Sequence, residues 1–262
     1  MNESSSMPVL FAGHGSPMNA IEDNFWSQSL RRWAADLPRP ESILAVSAHW
    51  YTDGLAVTAQ EVPETIHDFG GFPQRLFDMR YPAPGSPTLA ARVAQLLGGE
   101  GARAVEDWGL DHGTWSVLVH LFPEADIPVV QLSVDARRSP ARQIEVGRKL
   151  SALREEGVMI VASGNVTHNL RHAMRAMATG DTSTPGWASE FDASTTKALS
   201  ERDDAALADL VESPNGRLAQ PSPDHWYPLL VAYGATRPAD ALTFPVTGMD
   251  LGSLSMRSAR WG

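Results

Sequence analysis

Four short apolar runs along the chain predict buried β-strands. They lie at residues 9–11, 43–47, 127–132 and 158–162. Apolar runs of this length, bounded by glycine, proline or polar residues, are typical of strands that are covered on both faces. The runs therefore indicate a sheet whose strands are spread along much of the chain.

Helical periodicity fills the stretches between these strands. Ser86-Pro87 is typical of an N-cap followed by proline at the first helical position, apolar residues recur at helical spacing through 89–97, and Gly98-Gly99 ends the pattern. Similar apolar faces occupy 146–153 and 191–199. Strands that alternate with helices predict an α/β layered fold with a largely parallel sheet.

The composition is that of a globular protein. Of the 262 residues, 43% are apolar and 20% are charged, which allows a sizeable core. The loop-like stretches 178–186 and 213–224 are rich in glycine, proline and serine, but the second leads directly into a candidate site residue. We therefore predict a single domain over residues 1–262, with the polar residues 1–6 as a disordered tail.

Charge and cysteine content exclude several classes of function. Lys and Arg total 21 against 31 Asp and Glu, a formal charge of −10 that disfavours nucleic acid and anionic membranes as partners. The sequence contains no apolar run of about 18 residues and no secretory signal at its start, so we expect a cytoplasmic protein. With no cysteine, a transition metal here must be bound by histidine and carboxylate.

Histidines follow three of the predicted strands. His14 lies between Gly13 and Gly15 after the first strand, His49 follows the second, and His168 lies in the segment after the fourth. In open α/β sheets, ligands bind at the carboxyl ends of the strands. A single loop histidine is usually a surface or capping residue, but their joint placement favours a metal site; from spacing alone both interpretations stand.

The other histidines carry weaker signals. His225 lies just before an apolar helical segment, and His67 and His112 fit either a substrate-side role or a structural one. His120 lies among apolar residues, which indicates a packed, hydrogen-bonded residue in the core or at the surface. His168 and His172 have the i, i+4 spacing of helical zinc ligands, but no HExxH motif is present, so we expect His172 to be solvated. The sequence also lacks a GxSxG nucleophile elbow and a GxGxxG dinucleotide motif.

Seven motifs occur in order from about Pro8 to the C-terminus: Gly13-His14-Gly15-Ser16-Pro17, Ser47-Ala48-His49-Trp50, His67-Asp68-Phe69-Gly70-Gly71-Phe72-Pro73, Tyr81-Pro82-Ala83-Pro84-Gly85, Leu110-Asp111-His112-Gly113, Ser163-Gly164-Asn165-Val166-Thr167-His168-Asn169 and Asp224-His225-Trp226. Taken together, these motifs resemble the 4,5-DOPA extradiol dioxygenase family. This family belongs to the class III extradiol ring-opening dioxygenases, to which the protocatechuate 4,5-dioxygenase catalytic subunit is also related.

The resemblance implies a central mixed sheet flanked by helices, with a metal site at one end of the sheet. It implies that His14, His49 and His225 bind the metal, that His168 is the catalytic acid–base residue or a fourth ligand, and that His112 is a second catalytic histidine. The ring-cleaving cousins have a carboxylate as third ligand, the arrangement expected of non-haem Fe(II) oxygenases. Three histidines also suit Zn²⁺, so zinc and iron both remain candidates.

The function that this resemblance implies is ring opening of a catechol such as DOPA by O₂, giving a muconic semialdehyde. Trp50, Trp226 and Tyr227 are candidates for walls around the substrate ring, although core packing is expected for at least one of them. A zinc-dependent hydrolase and a non-catalytic metal-binding protein are the alternatives. We expect a small aromatic diol and O₂ as partners, and a monomer or small homo-oligomer.

Overall fold

The computed structural model describes residues 6–262, so most of the predicted N-terminal tail lies outside the described residues. Ten strands are present: β1 Val9–Gly13, β2 Ser42–Thr52, β3 Ala56–Thr58, β4 Arg103–Val105, β5 Val129–Asp135, β6 Val158–Gly164, β7 Leu242–Thr243, β8 Met249–Asp250, β9 Leu254–Ser255 and β10 Ala259–Trp261. The α-helices are α1 Phe25–Ala34, α2 Gln74–Phe77, α3 Pro87–Leu96, α4 His112–Leu121, α5 Pro140–Leu150, α6 Leu170–Thr179, α7 Gly186–Glu201, α8 Asp204–Asp209, α9 Pro214–Ala219 and α10 Tyr227–Gly234.

Eight strands form one mixed sheet in the order β4-β3-β5-β2-β6-β1-β10-β7. The four central strands β5, β2, β6 and β1 are parallel, whereas β3 pairs with β5, and β10 with β1, in the antiparallel sense. The prediction of a central mixed, largely parallel sheet is confirmed. Because β1 and β10 are neighbours, both ends of the described chain meet in this sheet, which supports the proposal of one domain over 1–262.

The sheet separates two hydrophobic layers. Alternate strand residues such as Leu44 and Ile160 face a core that includes residues of α3, α5 and α10, whereas Ile43 and Met159 face a core that includes residues of α1 and α4. Strands buried on both faces explain why the sequence shows continuous apolar runs instead of alternation. In the described part of the chain, no helix combines the length and hydrophobicity needed to cross a membrane.

The cap of α3 lies where the sequence predicts it, whereas strand β2 is longer than its apolar run predicts. Ser86 caps α3 by accepting a hydrogen bond from the backbone N–H of Leu89, as the sequence predicts. Strand β2 does not end at residue 47 but continues to Thr52, with an irregularity between Val46 and Tyr51 in its pairing with β5. His49 therefore lies inside β2, not after it. An irregularity of this kind redirects side chains at the edge of a sheet.

Candidate metal centre

Five histidines meet at the carboxyl end of the parallel strands. They are His14 after β1, His49 within β2, His112 at the first position of α4, His168 after β6, and His225 at the end of the 3-10 turn Pro223–His225 that precedes α10. The structure thus brings together all five site residues that the sequence singled out.

Backbone contacts hold two of these segments in place. The backbone N–H of Asn165 donates to the carbonyl of His225 at 3.1 Å. A Cβ at Gly164 would lie 2.3 Å from that same carbonyl oxygen, so only glycine allows β6 to approach the turn this closely. In the segment after β1, Gly15 follows His14 and has a φ of +60°, a left-handed conformation that glycine adopts without strain.

The rings of His14, His49 and His225 form a nearly equilateral triangle. Their centroids are 5.0 Å apart for His14 and His49, 5.1 Å for His14 and His225, and 4.9 Å for His49 and His225. Imidazoles that bind one ion through nitrogens at about 2.0–2.1 Å in a tetrahedral arrangement have centroids about 5 Å apart. The spacing of this triangle therefore fits three ligands of one metal ion.

Each ring of this triangle has a polar neighbour at Nδ1, the arrangement that commonly orients metal-binding histidines. The partners are Ser163 Oγ at 2.8 Å for His14, Asp68 Oδ2 at 3.3 Å for His49, and Asp224 Oδ2 at 2.6 Å for His225. This leaves Nε2 of each ring as the candidate ligand atom. Nε2 of His14 and Nε2 of His49 are 3.2 Å apart, and Nε2 of His225 is buried with no hydrogen-bond partner.

Burial keeps these three rings neutral. The pKa values of His14 and His225 lie well below the ordinary histidine value, first because burial disfavours the imidazolium and then because the other histidines repel it. Burial and the neighbouring His112 lower the pKa of His49 to about 3, although Asp68 acts in the opposite direction. A neutral imidazole is the form that binds a metal ion.

His112 is the other candidate for the third ligand. One ring nitrogen each of His14, His49 and His112 lie within 4.8 Å of one another. However, the His112 ring lies beside that of His49, with centroids 3.7 Å apart, and its Nδ1 donates to Asp68 at 2.8 Å. Of these two candidates, His225 is the one with a ring nitrogen, Nε2, that is buried without a hydrogen-bond partner.

His168 stacks directly on His225. The two ring centroids are 3.4 Å apart and the ring planes differ by only 7°. The His168 backbone N–H donates to the carbonyl of Ala219 at 2.7 Å, which anchors the segment after β6. Burial lowers the pKa of His168 to about 4, with His112 acting in the same direction and Asp224 in the opposite one. His168 is therefore neutral at neutral pH.

The remaining histidines lie outside this cluster. His120 packs in the core, and its Nε2 lies 2.8 Å from the carbonyl of Asn19. The ring of His67 contacts Phe69 and Phe77 and reaches the carbonyl of Met79 at 3.0 Å. His172 on α6 is partly buried, and its ring lies 5.6 Å from that of Trp187.

The aromatic residues near the site have different environments. Trp226 is fully buried in the core against Phe191, and Trp50 is buried and stacks on Trp108. The ring of Phe69 lies 5.3 Å from that of His112. Core packing therefore accounts for Trp226, as expected for at least one of the candidate walls.

Sequence reasoning missed the side chains that orient the histidines. Asp68 and Ser163 lie 19 and 149 positions away from the histidines whose Nδ1 they contact, His49 and His14. Asp224 could have been found, because it precedes His225 directly. A third missed carboxyl, Asp111, is fully buried at the N-terminus of α4, and burial and the Asp68 charge raise its pKa to about 6.

Comparison with known proteins identifies the family of the chain. The family described as the catalytic LigB subunit of aromatic ring-opening dioxygenase matches residues 8–246. The chain therefore belongs to this family and is an oxidoreductase that opens aromatic rings, which confirms the resemblance found in the sequence. Membership implies a metal, an aromatic substrate and O₂.

The chain is also similar to individual proteins over nearly its full length. The chain is 48% identical to 4,5-DOPA dioxygenase extradiol of Escherichia coli K12, a match that covers 99% of this chain and 96% of that protein. It is 40% identical to 4,5-DOPA dioxygenase extradiol of Beta vulgaris over 89% of this chain and 88% of that protein. A crystal structure of an uncharacterized E. coli K12 protein superposes with a TM-score of 0.85 at 44% identity, covering 98% of this chain and 100% of the other.

Proposed function

We propose that this protein is a metal-dependent extradiol dioxygenase that opens the ring of a catechol such as DOPA. The observation that carries the proposal is the triangle of His14, His49 and His225, in which Nε2 of His225 is buried without a partner. A buried polar nitrogen of this kind is costly unless something satisfies it. The names of the E. coli and Beta vulgaris relatives support DOPA or a similar catechol as substrate.

In this proposal, His14, His49 and His225 hold one divalent ion through Nε2. Fe²⁺, when bound there, supplies the Lewis acidity that makes catechol hydroxyls more acidic and the electron transfer that O₂ requires. Zn²⁺ suits the same three imidazoles but has no redox chemistry. The zinc-loaded protein would therefore have an occupied site but no ring-opening activity.

His168 is the acid–base residue in this proposal. Its ring is parallel to that of His225 at 3.4 Å, so the in-plane lone pairs of the two rings run alongside each other and do not converge on one ion. This favours proton transfer over a role as fourth ligand. Burial lowers the pKa of His168, so its imidazole is neutral at neutral pH and has a ring nitrogen that can act as acceptor toward a catechol hydroxyl.

His112 and Phe69 form the opposite side of the proposed substrate site. The Phe69 ring lies edge-to-face with that of His112 at 5.3 Å, and Phe69 also contacts Phe72 and Phe77. These aromatic side chains give the substrate ring an apolar surface next to a polar imidazole. We assign to His112 a hydrogen bond to the substrate or to oxygen.

The proposed reaction breaks the ring carbon–carbon bond next to the diol. Both atoms of one O₂ enter the product, which carries an aldehyde on one side of the break and a carboxylate on the other, a muconic semialdehyde. The proton that His168 takes from the catechol is returned to oxygen during O–O cleavage. Oxygen uptake and product therefore have a stoichiometry of one to one.

Anaerobic reconstitution with Fe(II), followed by a panel of catechols that includes DOPA, tests this function. We expect O₂ uptake and formation of a semialdehyde with iron, and neither with Zn²⁺. Ester or amide hydrolysis by the zinc form without O₂ uptake would show a zinc hydrolase instead. Bound metal with neither activity would show a non-catalytic metal-binding protein.

His225→Ala tests the ligand set. We expect the purified variant to lose most of its metal at unchanged far-UV circular dichroism, whereas the matched variant His172→Ala retains it. Metal content by mass spectrometry gives this result without an activity assay. Full metal occupancy in His225→Ala, with loss in His112→Ala, would instead assign the third ligand to His112.

A further inference from the structure

Asp68 contacts two histidines of the site with one carboxylate. Its Oδ1 accepts a hydrogen bond from the backbone N–H of His112 at 2.9 Å, and its Oδ2 accepts one from Nδ1 of the same residue at 2.8 Å. The same Oδ2 lies 3.3 Å from Nδ1 of His49. The side chain is only 14% exposed, so water competes little for these contacts.

We infer that Asp68 is a positioning residue that determines which ring nitrogen of His49 and of His112 faces the site. This inference rests on the proposed function, which gives His49 to the metal and His112 to the substrate or oxygen. A carboxylate at Nδ1 keeps the ring proton there and leaves Nε2 as a free lone pair. One side chain thereby presents Nε2 of His49 to the ion and Nε2 of His112 to the reactants.

An amide cannot replace this carboxylate. Both oxygens of Asp68 act as acceptors, Oδ1 for the backbone N–H of His112 and Oδ2 for its Nδ1–H, and Oδ2 also lies 3.3 Å from Nδ1 of His49. In Asp68→Asn only one acceptor remains, and the new NH₂ group faces either the backbone N–H or the ring N–H groups. At least one of the two histidines must then change its ring proton or its orientation.

A second carboxylate, that of Asp111, also joins β2 to α4, so we expect the fold to tolerate the loss of Asp68. Asp111 accepts a hydrogen bond from Ser47 Oγ at 2.6 Å, and Ser47 Oγ accepts one from the backbone N–H of His49 at 3.2 Å. Asp111 also caps α4 by accepting from the backbone N–H of Thr114 at 3.2 Å. With these contacts intact, loss of Asp68 leaves β2 joined to α4. It changes only which ring nitrogen of His49 and of His112 carries the proton.

The test uses Asp68→Asn and Asp68→Ala, with Asp224→Asn as the matched control. The Asp224 carboxylate contacts Nδ1 of His225, so its change should not reach His112. Long-range ¹H–¹⁵N spectra of the zinc-loaded proteins report which nitrogen of each histidine carries the proton. Competition with a chelator gives the Kd for Zn²⁺.

We expect the ring proton of His112 to lie on Nδ1 in the wild type and to shift toward Nε2 in Asp68→Ala. Zinc affinity should fall about 10–100-fold in Asp68→Asn and in Asp224→Asn, since both lose an orienting carboxylate. The His112 proton should stay on Nδ1 in Asp224→Asn, and turnover of Asp68→Asn should stay low at saturating Fe²⁺. A shift of the His112 proton in the Asp68 variants alone shows that Asp68 acts at His112.

An unchanged His112 proton position and unchanged zinc affinity in both Asp68 variants would overturn the inference. So would full recovery of turnover in Asp68→Asn at saturating Fe²⁺. If Asp68→Ala does not fold, the nearly isosteric Asp68→Asn gives the same spectra. If the wild type opens no catechol, the proposed function fails, while the spectra and the zinc Kd still decide the role of Asp68.

Discussion

Four histidines of this site have a polar side chain at Nδ1. Ser163 contacts His14, Asp224 contacts His225, and Asp68 contacts both His49 and His112. Glycines and strand ends mark the segments of His14, His49 and His168 in the sequence, and the resemblance to the family's motifs adds His112 and His225. The side chains that contact Nδ1 could not be predicted, since nothing in the local sequence of a distant carboxylate or hydroxyl indicates which histidine it contacts.

Replacing His168 separates proton transfer from metal binding. We expect His168→Ala to keep its metal and to bind catechol, but to lose about 10²–10⁴-fold in kcat, the usual contribution of an acid–base residue. His172→Ala, one helical turn further along, should stay close to wild type in both properties. Metal content and single-turnover rates measure the two effects, and loss of metal in His168→Ala would show that His168 is a ligand.

Helices α5 and α10 pack closely because glycines lie at their contact. A Cβ at Gly147 would lie 2.1 Å from the carbonyl oxygen of Val231, and one at Gly234 would lie 2.1 Å from that of Ile144. The backbones therefore meet without intervening side chains. This contact positions α10, whose first residue, Tyr227, lies two positions after His225.

Gly147→Ala should force these two helices apart. We expect a loss of about 1–3 kcal/mol in the free energy of unfolding, the usual cost of overpacking, and a weaker affinity for metal because the turn with His225 moves with α10. Urea denaturation of the metal-free protein measures the first effect. Gly98→Ala is the control, since an added Cβ there meets no atom within 4 Å; equal stability of the two variants would contradict the prediction.

The β2 strand shows the limit of local patterns at the scale of elements. Its apolar run predicts the strand correctly, but not the irregular pairing between Val46 and Tyr51 that places His49 inside it. Pairing between β2 and β5 depends on residues about 80 positions apart. Local hydrophobicity therefore does not predict this irregular pairing.

At the scale of the whole molecule, the buried histidines couple stability to pH. In the metal-free fold the pKa values of His14, His49, His168 and His225 all lie below the unfolded value of about 6.5. Between that value and about 4, the unfolded chain binds protons that the folded chain does not. The free energy of unfolding therefore falls as pH decreases through this window.

Two carboxyls, Asp111 and Asp250, oppose this trend, because burial raises the pKa of each. Because the pKa of Asp111 is raised to about 6 in the fold, its protonation stabilises the folded state as pH falls from about 6 toward the unfolded value of about 3.9. Four histidines outweigh two carboxyls, so we expect the urea midpoint of the metal-free protein to decrease from pH 7.5 to pH 5. The slope should be shallower in His168→Ala, and a midpoint independent of pH would contradict the assigned shifts.

The sequence by itself determined the class of fold, the main strands and helices, and the histidines of the site. These properties follow from hydrophobic periodicity, helix caps and motifs, all of which are local. Only the tertiary structure decided that three rings form a triangle, that His168 lies parallel to His225, and that Asp68 joins His49 to His112. Those relations depend on ring orientation and on contacts between distant segments, which a linear pattern does not encode.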